Sequence, residues 1–239
     1  MKTLLIIVML LMLAVVLIIP LLAMWISSLH VDPEKDYDTD SWIHRKLLYL
    51  GTAIMLVPLR VRIHVTGKEK VPKTKKVMFV YNHVSNFDPL LLYMIFKPWN
   101  LAFLSKKENF DIPVFGRMAK RCCYLAIDRE DPREALKTIN QAADLLKKGE
   151  VAIGVSPEET RSKTGELLPF HDGVFKVAKK ADVPVVVVRI RDTEKIRKQA
   201  PLRPSDVYYD IVDVIKPGDP EWKNVHMISE RARTSILEK

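Results

Sequence analysis

VMFVYNHVSNFDPLLLYMIFKP, residues 77–98, is the stretch on which the rest of the chain depends. Its first five residues are apolar and β-favouring, so a strand ends at Tyr81. Asn82 and His83 stand at the tip of that strand, and Asp88 follows His83 with four residues between them. Pro89 then opens a second apolar run, Leu90 to Phe96, which reads as a helix with Asn86 or Asp88 at its N-cap. Ser85-Asn86 is turn-prone. The spacing therefore predicts a strand-to-helix turn that folds Asp88 back towards His83, where backbone N–H groups are free.

That pairing has a chemical use. An imidazole titrates at about 6.5, so it can accept a hydroxyl proton near neutral pH. A carboxylate on its far nitrogen fixes the tautomer and stabilises the imidazolium that forms. The chain has no Gly-x-Ser-x-Gly elbow, so His83 would act directly on a substrate hydroxyl. Taken alone, the pair is also compatible with a capped helix and an incidental histidine.

Composition narrows the partners. The formal net charge of +9 over 239 residues favours an anionic membrane or a phosphorylated substrate, and no nucleic-acid-binding signature accompanies it. The six histidines are scattered and the only two cysteines, Cys122 and Cys123, are adjacent. This excludes a disulfide framework and argues for no metal.

Leu4 to Ile26 is uncharged and long enough to span a bilayer, which takes about 20 residues. It exceeds the apolar core of a signal peptide and lacks a small-x-small cleavage site. Basic residues flank both ends, so charge leaves the orientation nearly balanced. Trp42 to Leu59 is either an interfacial helix with Arg60 and Arg62 at headgroup level, or a helix packed on the domain core. The expected organisation is an anchor (1–28), a linker with interfacial helix (29–59) and a domain (60–239). The first two helices form either a membrane helix plus an interfacial one or a half-inserted hairpin.

Strands and helices alternate from Arg60 onward, predicting an α/β domain with a mixed β-sheet flanked by helices. Expected strands cover Val61–Val65, Leu101–Phe103, Cys122–Ile127, Val151–Val155, the VVVV run at 185–188, and Val207–Ile215. A helix is expected from Asp131 to Lys148, with Ala135, Leu136, Ile139, Ala142, Ala143 and Leu146 on its buried face. A loop is expected over Thr193–Pro204.

Asn82-His83 with Asp88 resembles the first motif of the glycerophospholipid acyltransferase family, and three further blocks follow in that family's order. Lys106, followed by Pro113-Val114-Phe115-Gly116-Arg117, is similar to its second motif. Ser156-Pro157-Glu158-Glu159-Thr160-Arg161-Ser162 is similar to Phe-Pro-Glu-Gly-Thr-Arg-Ser, with Glu159 in place of glycine. Val183-Pro184 resembles the fourth.

Residue chemistry agrees with those blocks. Lys106, Arg117 and Arg161 are donors for phosphate oxygens. Gly116 permits close backbone approach, and Glu158 is placed to orient Arg161 or a neighbouring hydroxyl. Glu159 is expected to point away, to Arg161 or Lys163. Phe115 and Thr160 enter the substrate-binding set through the motif match.

The resemblance implies a glycerol-3-phosphate acyltransferase-like fold and a membrane-bound enzyme without a cofactor. Such an enzyme acylates lysophosphatidic acid from acyl-CoA or acyl carrier protein, with its catalytic domain on the cytoplasmic face among membrane lipids. His83 is then the base, Asp88 its partner, and backbone N–H groups near the turn the oxyanion donors. The alternatives are another lysolipid or glycerol-3-phosphate as acceptor, or an anionic-lipid-binding protein without turnover.

Overall fold

The computed structural model describes residues 1–128, 130–162 and 164–238, except the side chains of Leu10, Leu11 and Leu13. Lys163, an expected partner of Glu159, and Arg129, expected at the end of a strand, lie outside the described residues.

Seven strands form one sheet: β1 (Val61–Thr66), β2 (Met78–Tyr81), β3 (Ala102–Lys106), β4 (Leu125–Ile127), β5 (Ile153–Val155), β6 (Val185–Arg191) and β7 (Ser205–Ile215). Their order is β1-β7-β6-β2-β5-β3-β4. All neighbours are parallel except β6 and β7, so the sheet is mixed, as expected. The central strands β2 and β5 are buried along their whole length, as is the VVVV run of β6. That is the requirement for a strand covered on both faces. Because β6, β2, β5 and β3 run parallel, their C-terminal ends lie side by side at ~4.8 Å spacing. This end of the sheet receives the loops that begin at Asp192, Asn82, Ser156 and Lys107.

The helices are α1 (Lys2–Leu29), α2 (Trp42–Leu56), α3 (Phe87–Ile95), α4 (Phe115–Arg121), α5 (Pro132–Lys148), α6 (Lys176–Ala181), α7 (Lys195–Gln199) and α8 (Val225–Leu237). α5 starts where Asp131 accepts from the N–H groups of Arg133 and Glu134, and ends at Gly149 with φ 75°. Its buried face is Ile139, Ala142, Ala143, Leu145 and Leu146. Leu136 faces solvent and Ala135 is only half-buried, contrary to expectation; the buried stripe starts at Ile139, two turns into the helix.

α1 is about 42 Å long at 1.5 Å per residue. It is long and apolar enough to cross a membrane, and none of its most apolar window is buried. α1 packs on α2, where the Sδ of Met24 lies 2.9 Å from the position a Cβ on Gly51 would take. α2 packs on the domain along one face and leaves another bare. Arg45, Leu48 and Thr52 are buried against the domain, while Trp42 and Ile43 are 71% and 58% exposed.

Arg45 is buried. Its guanidinium donates to Asp40 at 2.6 Å and to the carbonyls of Leu101 and Cys122, each at 2.9 Å. The segment before α2 is also pinned: Lys148 pairs with Asp38 at 2.7 Å and Arg121 donates to the Thr39 carbonyl.

Two expectations fail. The Cys122–Ile127 strand begins only at Leu125, because Cys122 and Cys123 close α4 with Cys123 at φ 61°. Both cysteines are buried, which pushes their thiols up to about 12. α4 was not among the expected elements. The 193–204 loop contains the short helix α7.

Candidate active site

His83 leaves the end of β2 and the chain turns at once into α3, which begins at Phe87 rather than at Pro89. Asp88 is therefore in the first helical turn, and its N–H donates to the Ser85 carbonyl at 3.1 Å. Its carboxylate reaches back over the turn. Oδ2 accepts from His83 Nδ1 at 2.9 Å and from the N–H groups of Val84 and Ser85, each at 2.7 Å. Oδ1 accepts from the Thr193 hydroxyl.

Asp88 is 0% exposed, whereas the His83 ring is 20% exposed. A carboxylate only accepts, so Nδ1 carries the proton and Nε2 presents a lone pair. No described group hydrogen-bonds Nε2. The ring of Tyr81 stands edge-on to the imidazole at 6.2 Å.

The loop after β5 grips His83 from the other side. Glu158 Oε1 accepts from the His83 N–H at 2.7 Å and Oε2 from the Leu168 N–H at 2.9 Å. The Ser162 N–H donates to the His83 carbonyl at 2.9 Å. Burial pushes the Glu158 carboxyl up, against the pull of the two N–H donors. Asn82 continues the ladder beyond β2, with its amide exchanging two hydrogen bonds with the backbone of Ile190, at 2.9 and 2.7 Å.

Expected and observed roles now separate. Glu158 was expected to bind substrate or orient Arg161. Both its oxygens are spent on backbone N–H groups, so it holds the histidine in place. Gly116 was expected in the substrate set. A Cβ there would lie 1.9 Å from the carbonyl oxygen of Phe110, so the residue it must admit is Phe110.

The turn was expected to supply oxyanion donors. Among the described residues, the N–H groups of His83, Val84, Ser85, Phe87 and Asp88 all have partners. Only Asn86's remains. Glu159 sits at φ 58°, where a glycine would avoid a cost of about 1–2 kcal/mol.

Lys106 ends β3, and Thr160 and Arg161 lie exposed in the loop after β5. Phe115 and Arg117 are half-buried on α4, which packs on residues 107–111, α2 and α1. None of Lys106, Arg117 and Arg161 makes a hydrogen bond or ion pair among the described residues. They stand outside the network joining His83, Asp88, Glu158 and Thr193. Sequence reasoning missed Thr193: it lies 105 residues from Asp88, among charged residues that read as solvated loop.

A mixed α/β sheet with a carboxylate-held histidine at its parallel strand ends defines the class. Residues 62–191 match the family model described as Acyltransferase, and the chain belongs to that family. A 1-acyl-sn-glycerol-3-phosphate acyltransferase of Chlamydomonas reinhardtii is 32% identical over 179 residues, covering 73% of this chain and 52% of the relative. The Saccharomyces cerevisiae 1-acyl-sn-glycerol-3-phosphate acyltransferase is 32% identical over 157 residues, covering 65% of this chain and 50% of the relative. The chain thus spans about half the length of these curated relatives. The crystal structure of the 1-acyl-sn-glycerophosphate acyltransferase of Thermotoga maritima superimposes with a TM-score of 0.60 at 25% identity, covering 82% of this chain and 79% of that one.

Proposed function

We propose that the chain transfers a fatty acyl group from acyl-CoA or acyl carrier protein to the sn-2 hydroxyl of 1-acyl-glycerol-3-phosphate, giving phosphatidic acid. The observation that carries this reading is His83, its Nδ1 held by buried Asp88 and its Nε2 left with a lone pair at the strand ends. Nε2 takes the hydroxyl proton as the oxygen attacks the thioester carbonyl. The tetrahedral adduct expels the thiolate, the imidazolium returns the proton to it, and no acyl-enzyme forms. Within the 83–88 turn the Asn86 N–H is the one donor left for the oxyanion among the described residues. Lys106, Arg117 and Arg161, whose side chains have no partners among the described residues, are the candidates for the acceptor phosphate.

α1 anchors the chain in the bilayer, the bare face of α2 lies at the interface, and the domain faces the cytoplasm, where thioester donors are soluble. The test is purified full-length protein with lysophosphatidate and each donor, followed by lipid product analysis. His83→Ala is expected to abolish product while unfolding as the wild type does. A variant that keeps wild-type rates overturns the mechanism. The Glu159 carboxylate in the loop of Arg161 favours a second reading, an acceptor other than lysophosphatidate, and a panel of lysolipids and glycerol-3-phosphate separates the two.

A further inference from the structure

We infer that Thr193 is a positioning residue for the acyl transfer, acting through Asp88 on His83; the inference rests on His83 being the base. The two oxygens of Asp88 are unequally served. Among the described residues, Oδ2 has three donors, while Oδ1 has the Thr193 hydroxyl alone. Both residues are fully buried, so no water replaces that donor.

The approach of Thr193 is built into the chain. β6 ends at Arg191, and Asp192 turns out of it at φ 70°. An Asp192–Lys195 ion pair at 2.9 Å and hydrogen bonds from the N–H groups of Lys195 and Ile196 hold the turn. Ile196 anchors it in the core. Tyr209, from β7, donates to the backbone carbonyl of Asp88 at 3.2 Å, so β7 also holds the Asp88 backbone in place.

With Oδ1 tethered, the carboxylate plane cannot turn, and Oδ2 stays on Nδ1. Without the tether, the group rotates towards whatever satisfies Oδ1. The imidazole then loses its single tautomer and Nε2 spends time protonated, unable to accept the hydroxyl proton.

The experiment compares Thr193→Val, which keeps the shape and removes the hydroxyl, with Thr193→Ser, which keeps the hydroxyl. All are full-length protein in lipid nanodiscs with lysophosphatidate and acyl-CoA. The readouts are kcat, KM, thermal midpoint and the ¹⁵N resonances of the His83 ring. Thr193→Val is expected to lower kcat by about tenfold to a hundredfold at unchanged KM, with the Nδ1–H tautomer signal diminished. Thr193→Ser is expected to restore both. Wild-type kcat in Thr193→Val overturns the inference. So does an equal loss in Val and Ser that tracks the thermal midpoint, which is a packing effect. Activity in His83→Ala sinks the acyltransferase mechanism instead, so the two failures are distinguishable.

Discussion

Replacing Gly116 with alanine separates two roles for that glycine. The added Cβ would lie 1.9 Å from the carbonyl oxygen of Phe110, 2.5 Å from its carbonyl carbon and 2.8 Å from its Cα. All three are backbone atoms, so no side chain can swing away. Ordinary contact needs about 3.4 Å, so the strand of chain at Phe110 must retreat by about 1.5 Å. That segment has little freedom. The Gly116 N–H donates to the Ile112 carbonyl at 2.9 Å and the Phe115 N–H to the Pro113 carbonyl at 2.7 Å. Val114 between them is already at φ 65°. Overpacking a filled site costs about 1–3 kcal/mol, and a forced backbone shift belongs at the upper end. For a chain of this size, a loss of about 3 kcal/mol lowers Tm by roughly 6–12 °C. Tryptophan fluorescence of full-length protein in detergent, heated with and without lysophosphatidate, measures it. An unchanged Tm with a raised acceptor KM would show that the glycine faces substrate and refute the packing argument. An unchanged Tm with unchanged kinetics would refute the close approach itself.

Arg45→Met is expected to destabilise by about 3–5 kcal/mol in denaturant unfolding, because it strands Asp40 and two buried carbonyls. The double change with Asp40→Leu should recover part of the loss. Around Asp213, burial pushes the carboxyl up, but Arg231, the Val214 N–H and the Ser235 hydroxyl outweigh it and hold it low. The folded state therefore releases this proton more readily than the unfolded one. Its stabilisation is complete above the ordinary carboxylate value of about 3.9 and is lost as pH falls through and below it. The Tm gap between wild type and Arg231→Met should accordingly narrow as pH is lowered from about 6 to about 3; a constant gap would refute the linkage.

Elements with local signals were legible and those made by distant partners were not. β6 opens on its valine run and β7 ends at Ile215 as expected, because alternation and unbroken apolar runs are local. α5 also begins and ends at its local caps. His83 and Asp88 were legible for the same reason: five residues and a turn join them.

The rest of the site was not. Glu158 reaches His83 across 75 residues and Thr193 reaches Asp88 across 105. A sequence names a glutamate's charge, not the two N–H groups that consume it. The partners of Arg45 were likewise not legible, its carbonyl acceptors lying 56 and 77 residues away. α4 was missed because its entry breaks local rules: a β-branched residue in a three-residue turn at positive φ, then a glycine in the first helical turn.

Four of the seven non-glycine residues at positive φ, Val114, Cys123, Glu159 and Asp192, bracket α4 or the loops bearing Arg161 and Thr193. Backbone strain of this kind persists only where surrounding contacts over-determine it. The segments that carry Arg117, Arg161 and the tether on Asp88 are therefore held in place by tertiary packing, against their own conformational preference.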